Sequence, residues 1–268
     1  MPGLLFVHAH PDDETIATGV TLARYAAAGV EVALVTCTRG EDGEVIPASL
    51  AYLEDDRDGR LGPYRTGELR LALAALGVEN HWYLDDLVSA ERGRRAHFRD
   101  SGMADTPAGA HPDAFASAPI EEAAAPLARL IERLEPAVVV TYDPDGGYGH
   151  PDHIQAHRVL IRAVELSAWP VPKVYWIAVP RSVAGDAIGS TSVVLDDDLV
   201  TSAIDGAAVL DRKVAAMRAH ATQIEVAEPD FALSNGIWQP IAVTEYFRLV
   251  AGTSSPPYDA DGREIDLL

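Results

Sequence analysis

Leu4-Leu5-Phe6-Val7-His8-Ala9-His10-Pro11-Asp12-Asp13-Glu14 runs from an apolar stretch into a histidine, a proline and three acids. A short uninterrupted apolar run is what a strand buried on both faces requires. Pro11 biases His10 away from the α region, so His10 leaves the strand extended. Proline is tolerated at the first helical position, and Asp12 and Asp13 then enter the first turn, where the helix dipole and unpaired N–H groups favour carboxylates. Open α/β sheets keep their active sites where a strand ends and a helix begins.

The same order returns in the second half of the chain. Ala137-Val138-Val139-Val140-Thr141 is a buried strand, and beyond it stands His150-Pro151-Asp152-His153. Ile154, His157, Leu160, Ile161 and Val164 then recur at helical spacing. Between the motifs, strands read at 32–38 and 82–84, and helices at 13–28, 67–76 and 120–134; a further strand covers 173–179. This alternation predicts an α/β fold, a Rossmann-like, mostly parallel sheet flanked by helices. After Pro180 the rhythm changes to a strand at 192–195, a helix at 206–219 and a strand or hairpin arm at 241–250. That part reads as a smaller α+β region packed on the sheet. With no polar linker before it, one domain is expected over 1–268, a core of 1–180 with a C-terminal subregion of 181–268. Segments 39–63 and 85–119 read as long loops walling the site.

Zinc accepts imidazole nitrogen and carboxylate oxygen, and catalytic sites pair three protein ligands with one open position. His10, Asp13 and His153 supply such a set. Asp12 stays free to take a proton from a water, and His150 is spare. Fe²⁺, Co²⁺ and Mn²⁺ accept the same donors. Each motif alone has a plainer reading. His111-Pro112-Asp113 lies in an Ala/Gly/Pro-rich stretch with no strand before it and reads as loop, and acids after proline also make an ordinary helix start. The pairing of the two motifs favours the metal. His8 shares a strand face with His10 and reads as support.

Composition narrows the partners. Forty-one acidic against 21 basic residues leave a formal charge of −20, which disfavours nucleic acid and anionic membrane surfaces; a neutral small molecule fits better. The single cysteine, Cys37, excludes an internal disulfide and reads as apolar filler. No window approaches the roughly 18 apolar residues of a membrane span, and no leader pattern begins the chain, so a cytoplasmic protein is expected. Oligomeric state is left open.

His8-Ala9-His10-Pro11-Asp12-Asp13-Glu14 and Gly146-Gly147-Tyr148-Gly149-His150-Pro151-Asp152-His153 resemble the two signatures of the PIG-L/LmbE-like zinc N-deacetylases. The resemblance extends to 36–46, to Gly62-Pro63-Tyr64-Arg65, to Phe98-Arg99-Asp100-Ser101-Gly102-Met103 and to Ala219-His220-Ala221-Thr222-Gln223. Within the family it is strongest to members that take acetate from N-acetylglucosaminyl-inositol in mycothiol biosynthesis. It implies one zinc on His10, Asp13 and His153, with Asp12 as general base. It further implies that Tyr148 stabilises the oxyanion, that His150 stabilises it or donates a proton, that Asp152 orients or charge-tunes His150, and that Arg65 and Asp100 hold sugar hydroxyls, with Glu44 and Met103 as further contacts. The Gly146-Gly147 and Gly149 flanks would let the Tyr148 backbone move.

Three other readings compete. A mycothiol-conjugate amidase would use the same motifs on a larger acyl group. A phosphoryl-transfer enzyme would place Mg²⁺ on Asp12, Asp13 and Glu14, but Mg²⁺ prefers oxygen and the histidines argue against it. A non-catalytic Rossmann-like sugar or nucleotide module would need a glycine phosphate loop where His-Pro-Asp-Asp-Glu stands.

Overall fold

In the computed structural model, which describes residues 3–54, 59–93, 97–104, 106–184 and 193–268, the opening apolar run is strand β1 (Leu4–His8), buried along its length. Asp12 is the N-cap of α1 (Asp13–Ala27). Next come β2 (Val32–Thr36), α2 (Leu61–Leu76), β3 (Asn80–Tyr83), α3 (Leu84–Arg92) and α4 (Ile120–Leu134). β4 (Val138–Thr141), a single turn α5 (Gly146–Gly149), α6 (Pro151–Leu166) and β5 (Lys173–Pro180) follow. The C-terminal part holds β6 (Val194–Leu195), β7 (Ser202–Asp205), α7 (Leu210–Ala219), β8 (Glu225–Ala227), β9 (Asp230–Ala232), β10 (Trp238–Pro240) and β11 (Thr244–Ala251).

The main sheet has the order β3-β2-β1-β4-β5-β11-β7, with β6 beside β5. β1 pairs in parallel with β2 and with β4, Leu4 lying opposite both Val32 and Val138. The chain therefore winds outward from β1 to β3, then returns to place β4 on the other side of β1. That reversal opens a crevice at the carboxyl ends of β1 and β4, where both His-Pro-Asp motifs emerge. Phe6, Leu34, Val139 and Val140 are fully buried in the centre, and the helices cover them.

Several boundaries differ from the pattern-based reading. α2 starts at Leu61 rather than Gly67, because Pro63 falls within the first turn, whose N–H groups have no partner to lose. Part of the expected loop 85–119 is α3, which buries Leu84 and Val88 and closes on Gly93 in the left-handed conformation; nine residues are too few for a clear period. β3 begins at Asn80, and α7 is preceded by a 3₁₀ turn at Ala207–Val209. Of the strand expected over 192–195, Val194–Leu195 is strand and residue 192 lies outside the described residues.

The C-terminal part extends the main sheet. β11 is antiparallel to both β5 and β7, while β8, β9 and β10 form a small separate sheet. From β11, Glu245 reaches into the middle of α1, accepting hydrogen bonds from Val20 N (3.0 Å), Thr21 N (2.9 Å) and the Thr21 hydroxyl (2.6 Å). Lys213 of α7 joins it, donating to Glu245 at 2.8 Å and to the Ile16 carbonyl at 2.9 Å. Both side chains are almost wholly buried.

Candidate active site

The two crevice-facing motifs meet over a cavity of about 550 Å³. From the β1 side, Asp13 Oδ2 lies 3.3 Å from His10 Nδ1; from the α6 side, His153 Nε2 lies 3.3 Å from the same oxygen. His10 and His153 are 7% and 1% exposed. Neither ring nitrogen of His153 has a hydrogen-bond partner, since the Asp13 contact lies outside hydrogen-bond geometry. An orphaned imidazole this deeply buried needs an explanation.

Two groups of side chains lie within shared reach of one ion, His10 with His150 and His153, and His10 with Asp100 and Asp152; the expected set of His10, Asp13 and His153 is not one of them. Asp13 Oδ2 already accepts the His10 N–H at 2.9 Å, and the members of the other groups have partners too. His150 Nδ1 accepts the Asp152 N–H at 3.2 Å, capping α6, so a neutral His150 carries its proton on Nε2. Asp152 Oδ2 sits 3.1 Å from His10 Nε2, and its two oxygens also accept from the Ser101 N–H and hydroxyl. His10 thus turns Nδ1 toward Asp13. Burial works against a protonated His10, yet the surrounding Asp100, Asp13 and Asp152 carboxylates outweigh it and hold the ring well above its usual range. A cluster this rich in buried carboxylate, with an unpaired imidazole beside it, fits a divalent cation.

Asp13 has further support. The Tyr142 hydroxyl donates to Asp13 Oδ2 at 2.8 Å and accepts the Ala9 N–H at 2.9 Å. His8 Nδ1 lies 3.2 Å from that hydroxyl and His8 Nε2 2.9 Å from Thr18 Oγ1. The Tyr142 proton is committed to Asp13 and the Thr18 proton to the Glu14 carbonyl, so both His8 nitrogens face acceptor oxygens and a neutral ring donates to only one of them. Burial pushes His8 down to about 4. His8 is thus the supporting residue its strand position implied.

Asp12 lies beside this cluster. Its backbone has φ 119° and ψ −34°, a conformation side chains rarely adopt. Burial pushes its carboxyl up to about 7, against the pull of the Arg65 guanidinium. Arg65 Nη2 lies 3.0 Å from Asp12 Oδ2 and also donates to the Pro11 carbonyl, while Nη1 donates to Gly40 O at 2.8 Å. Gly40 has φ 66°, and a Cβ there would collide with the guanidinium, so glycine is required.

Two residues have partners other than those expected. Asp152 was expected to orient or charge-tune His150, but its carboxylate meets His10 and Ser101; only its backbone touches His150. Arg65 was expected to hold sugar hydroxyls; it lines the cavity at 2% exposure, with Nη1 and Nη2 on Gly40, Pro11 and Asp12 and with Nε free of a hydrogen-bond partner. Asp100, Glu44, Met103, Tyr148 and His150 also line the cavity. Asp100 accepts the Gly102 N–H and faces His10 Nε2 at 3.5 Å. Tyr148 is 36% exposed, its ring 5.2 Å from that of His153. It is flanked by Gly146, Gly147 and Gly149 at φ 66°, 73° and 89°. Burial and the neighbouring histidines push His150 down to about 3. Tyr142 and Thr18 carried no chemical motif and escaped the sequence reading, and Ser101, within the Phe98–Met103 block, had no role assigned to it.

An α/β sheet with a buried His/Asp cluster at its switch point is an active-site arrangement of the open α/β class. Residues 5–164 match the family PIG-L, GlcNAc-PI de-N-acetylase. The chain is 50% identical over 297 aligned positions to the 1D-myo-inositol 2-acetamido-2-deoxy-alpha-D-glucopyranoside deacetylase of Streptomyces scabiei, covering 99% of this chain and 88% of that one. The N,N'-diacetylchitobiose deacetylase of Pyrococcus horikoshii shares the fold at a TM-score of 0.56 and 20% identity, over 82% of this chain and 70% of that one. So does the 4-carboxy-2-hydroxymuconate hydratase of Pseudomonas putida, at 0.57 and 18%, over 97% and 100%; the fold alone therefore does not set the chemistry. The chain belongs to the PIG-L family of hydrolytic N-deacetylases. Among the described residues no helix is long and apolar enough to cross a membrane.

Proposed function

We propose that this enzyme hydrolyses the N-acetyl amide of 1D-myo-inositol 2-acetamido-2-deoxy-alpha-D-glucopyranoside in mycothiol biosynthesis, releasing acetate and the free amine. The observation that carries the reading is the separation of roles in one motif: Asp13 faces His10 and His153 while Asp12, one residue earlier, is held away from them by Arg65. In this reading His10, Asp13 and His153 would hold one zinc ion. When bound, that ion supplies Lewis-acid polarisation of the amide carbonyl and acidifies a water molecule.

Asp12 takes a proton from the attacking water as the new C–O bond forms. The Tyr148 hydroxyl and the His150 Nε2–H donate to the developing oxyanion, which preorganised donors stabilise without reorganisation. Asp12 then passes its proton to the amine nitrogen as the C–N bond breaks. His150 acts as a neutral donor here, because its Nδ1 is occupied by the Asp152 N–H. Asp100, Glu44 and Met103 contact the sugar and inositol rings from the cavity wall, and Arg65 fixes the base instead of the substrate. Asp152 and Ser101 orient His10. A small polar sugar amide in the cytoplasm is the substrate class this reading requires.

The cavity lining also includes the apolar side chains of Ile16, Ala17, Ile177 and Leu233. It favours, as a second reading, amidase activity on mycothiol S-conjugates with larger acyl groups. Acetate and amine release measured on N-acetylglucosaminyl-inositol, free N-acetylglucosamine and thiol conjugates, with metal analysis of the purified protein, tests both. Turnover of none of them by zinc-loaded protein would remove the proposal.

A further inference from the structure

His220, at the end of α7, is fully buried and does not line the cavity. Its Nε2 lies 2.8 Å from Glu14 Oε1, across 206 residues of sequence. The Glu14 carboxylate also receives the Thr15 hydroxyl, and its second oxygen, Oε2, accepts the backbone N–H of Asp12 at 2.9 Å. That amide belongs to the residue with φ 119°. Such a conformation is strained and persists only where the surroundings over-determine it. Arg65 restrains Asp12 from the carboxylate and from the preceding carbonyl. Glu14 restrains it from the amide, and Glu14 is itself restrained by His220.

His220 is well anchored for this task. The turn that carries it is tied to α2 by Thr222, whose N–H and hydroxyl donate to Glu68 at 2.8 and 2.6 Å. It is tied to the cavity wall where Ile46 N donates to Thr222 O and Gln223 Nε2 donates to Glu44 O. His220 Nδ1, by contrast, has no hydrogen-bond partner. A buried orphan nitrogen is unfavourable for stability alone, and Nε2 is the atom the site uses.

We propose that His220 is a positioning residue for the hydrolysis: through Glu14 it holds the Asp12 backbone in its unusual conformation and so aims the base carboxylate. This rests on the assignment of Asp12 as base. Misplacement of a catalytic group by about 1 Å costs on the order of 100-fold in rate. His220→Leu, which keeps side-chain volume but removes the donor, is expected to lower kcat by about 10- to 100-fold. KM should stay within about twofold and bound metal unchanged, because neither wall nor ligands are touched. His220→Gln places an N–H donor near the Nε2 position and is expected to restore kcat to within about threefold of the parent.

A leucine variant with kcat within about twofold of the parent overturns the proposal. So does a glutamine variant as impaired as the leucine one, or loss of metal together with rate. Should His220→Leu fail to fold, Glu14→Gln takes its place, with the same fall in kcat expected and an unchanged kcat overturning the idea. Asp12→Asn measured alongside separates the two claims. Turnover by that variant sinks the base assignment; an inactive Asp12→Asn beside a fully active His220→Leu sinks only the positioning role.

Discussion

The Arg65 guanidinium lies 3.0 Å from the Asp12 carboxylate while also gripping the carbonyl of Pro11, one residue earlier. The pair sets the base between two opposing influences, burial raising its proton affinity and the cation lowering it. A base balanced near neutral pH suits a group that must first take a proton and then return it.

Replacing Asp12 with Asn keeps the shape of the side chain and removes its basicity. Turnover is expected to fall by about 10²- to 10⁴-fold, the usual range for a general base, with bound metal at the parent level. Steady-state acetate release and metal analysis on the same preparation check this.

Arg65→Lys retains a charge but cannot span three acceptors with a planar fork. The loss should appear in kcat, by about tenfold or more, rather than in KM, because the guanidinium binds the motif and not the substrate. A change confined to KM would return Arg65 to the sugar-binding role its sequence position implied.

Tyr142→Phe removes one hydroxyl that serves Asp13, Ala9 N and His8 together. Loss of such support for a metal ligand typically weakens metal binding about 10- to 100-fold. Competition against a chelator of known affinity reads this directly, and full zinc loading at excess metal should return much of the activity.

These predictions show where the sequence was legible. β1, α1 and both His-Pro-Asp motifs stood out because ligands and a proline crowd into one turn next to an apolar strand, so the evidence is local. Arg65 and Asp12 are 53 residues apart, Tyr142 and Asp13 129, and His220 and Glu14 206. No spacing rule links such pairs; the packing of α2 against α1, the crossing of β4 beside β1 and the return of α7 against α1 bring them together. The contact of the Asp152 carboxylate with His10 was hidden for the same reason. Asp152 is two residues from His150, yet its side chain leaves the helix toward His10.

His81, on β3, is kept neutral by burial, which pushes it from 6.5 down to about 4. Between those values the unfolded chain binds a proton that the folded chain refuses, so stability falls as pH falls through this window. His81→Gln should flatten that slope. Urea midpoints measured from pH 7 to pH 4 should drop less for the variant than for the parent.

Glu245→Ala leaves Lys213 buried without its carboxylate and strips two α1 amides of their acceptor. Breaking a buried pair in this way costs about 3–5 kcal/mol, which at about 2–4 °C per kcal/mol lowers Tm by roughly 10 °C. Replacing both residues with apolar side chains should cost much less. Thermal melts of the single and double variants decide between these outcomes.

The return of β11 and α7 onto α1 has a consequence for synthesis of the enzyme. On the proposed roles, a chain ending after α6 would carry the proposed ligands and base but lack Lys213, His220 and Glu245, whose side chains clamp α1 from the last part of the chain to be made. Such a truncated product is expected to show no acetate release.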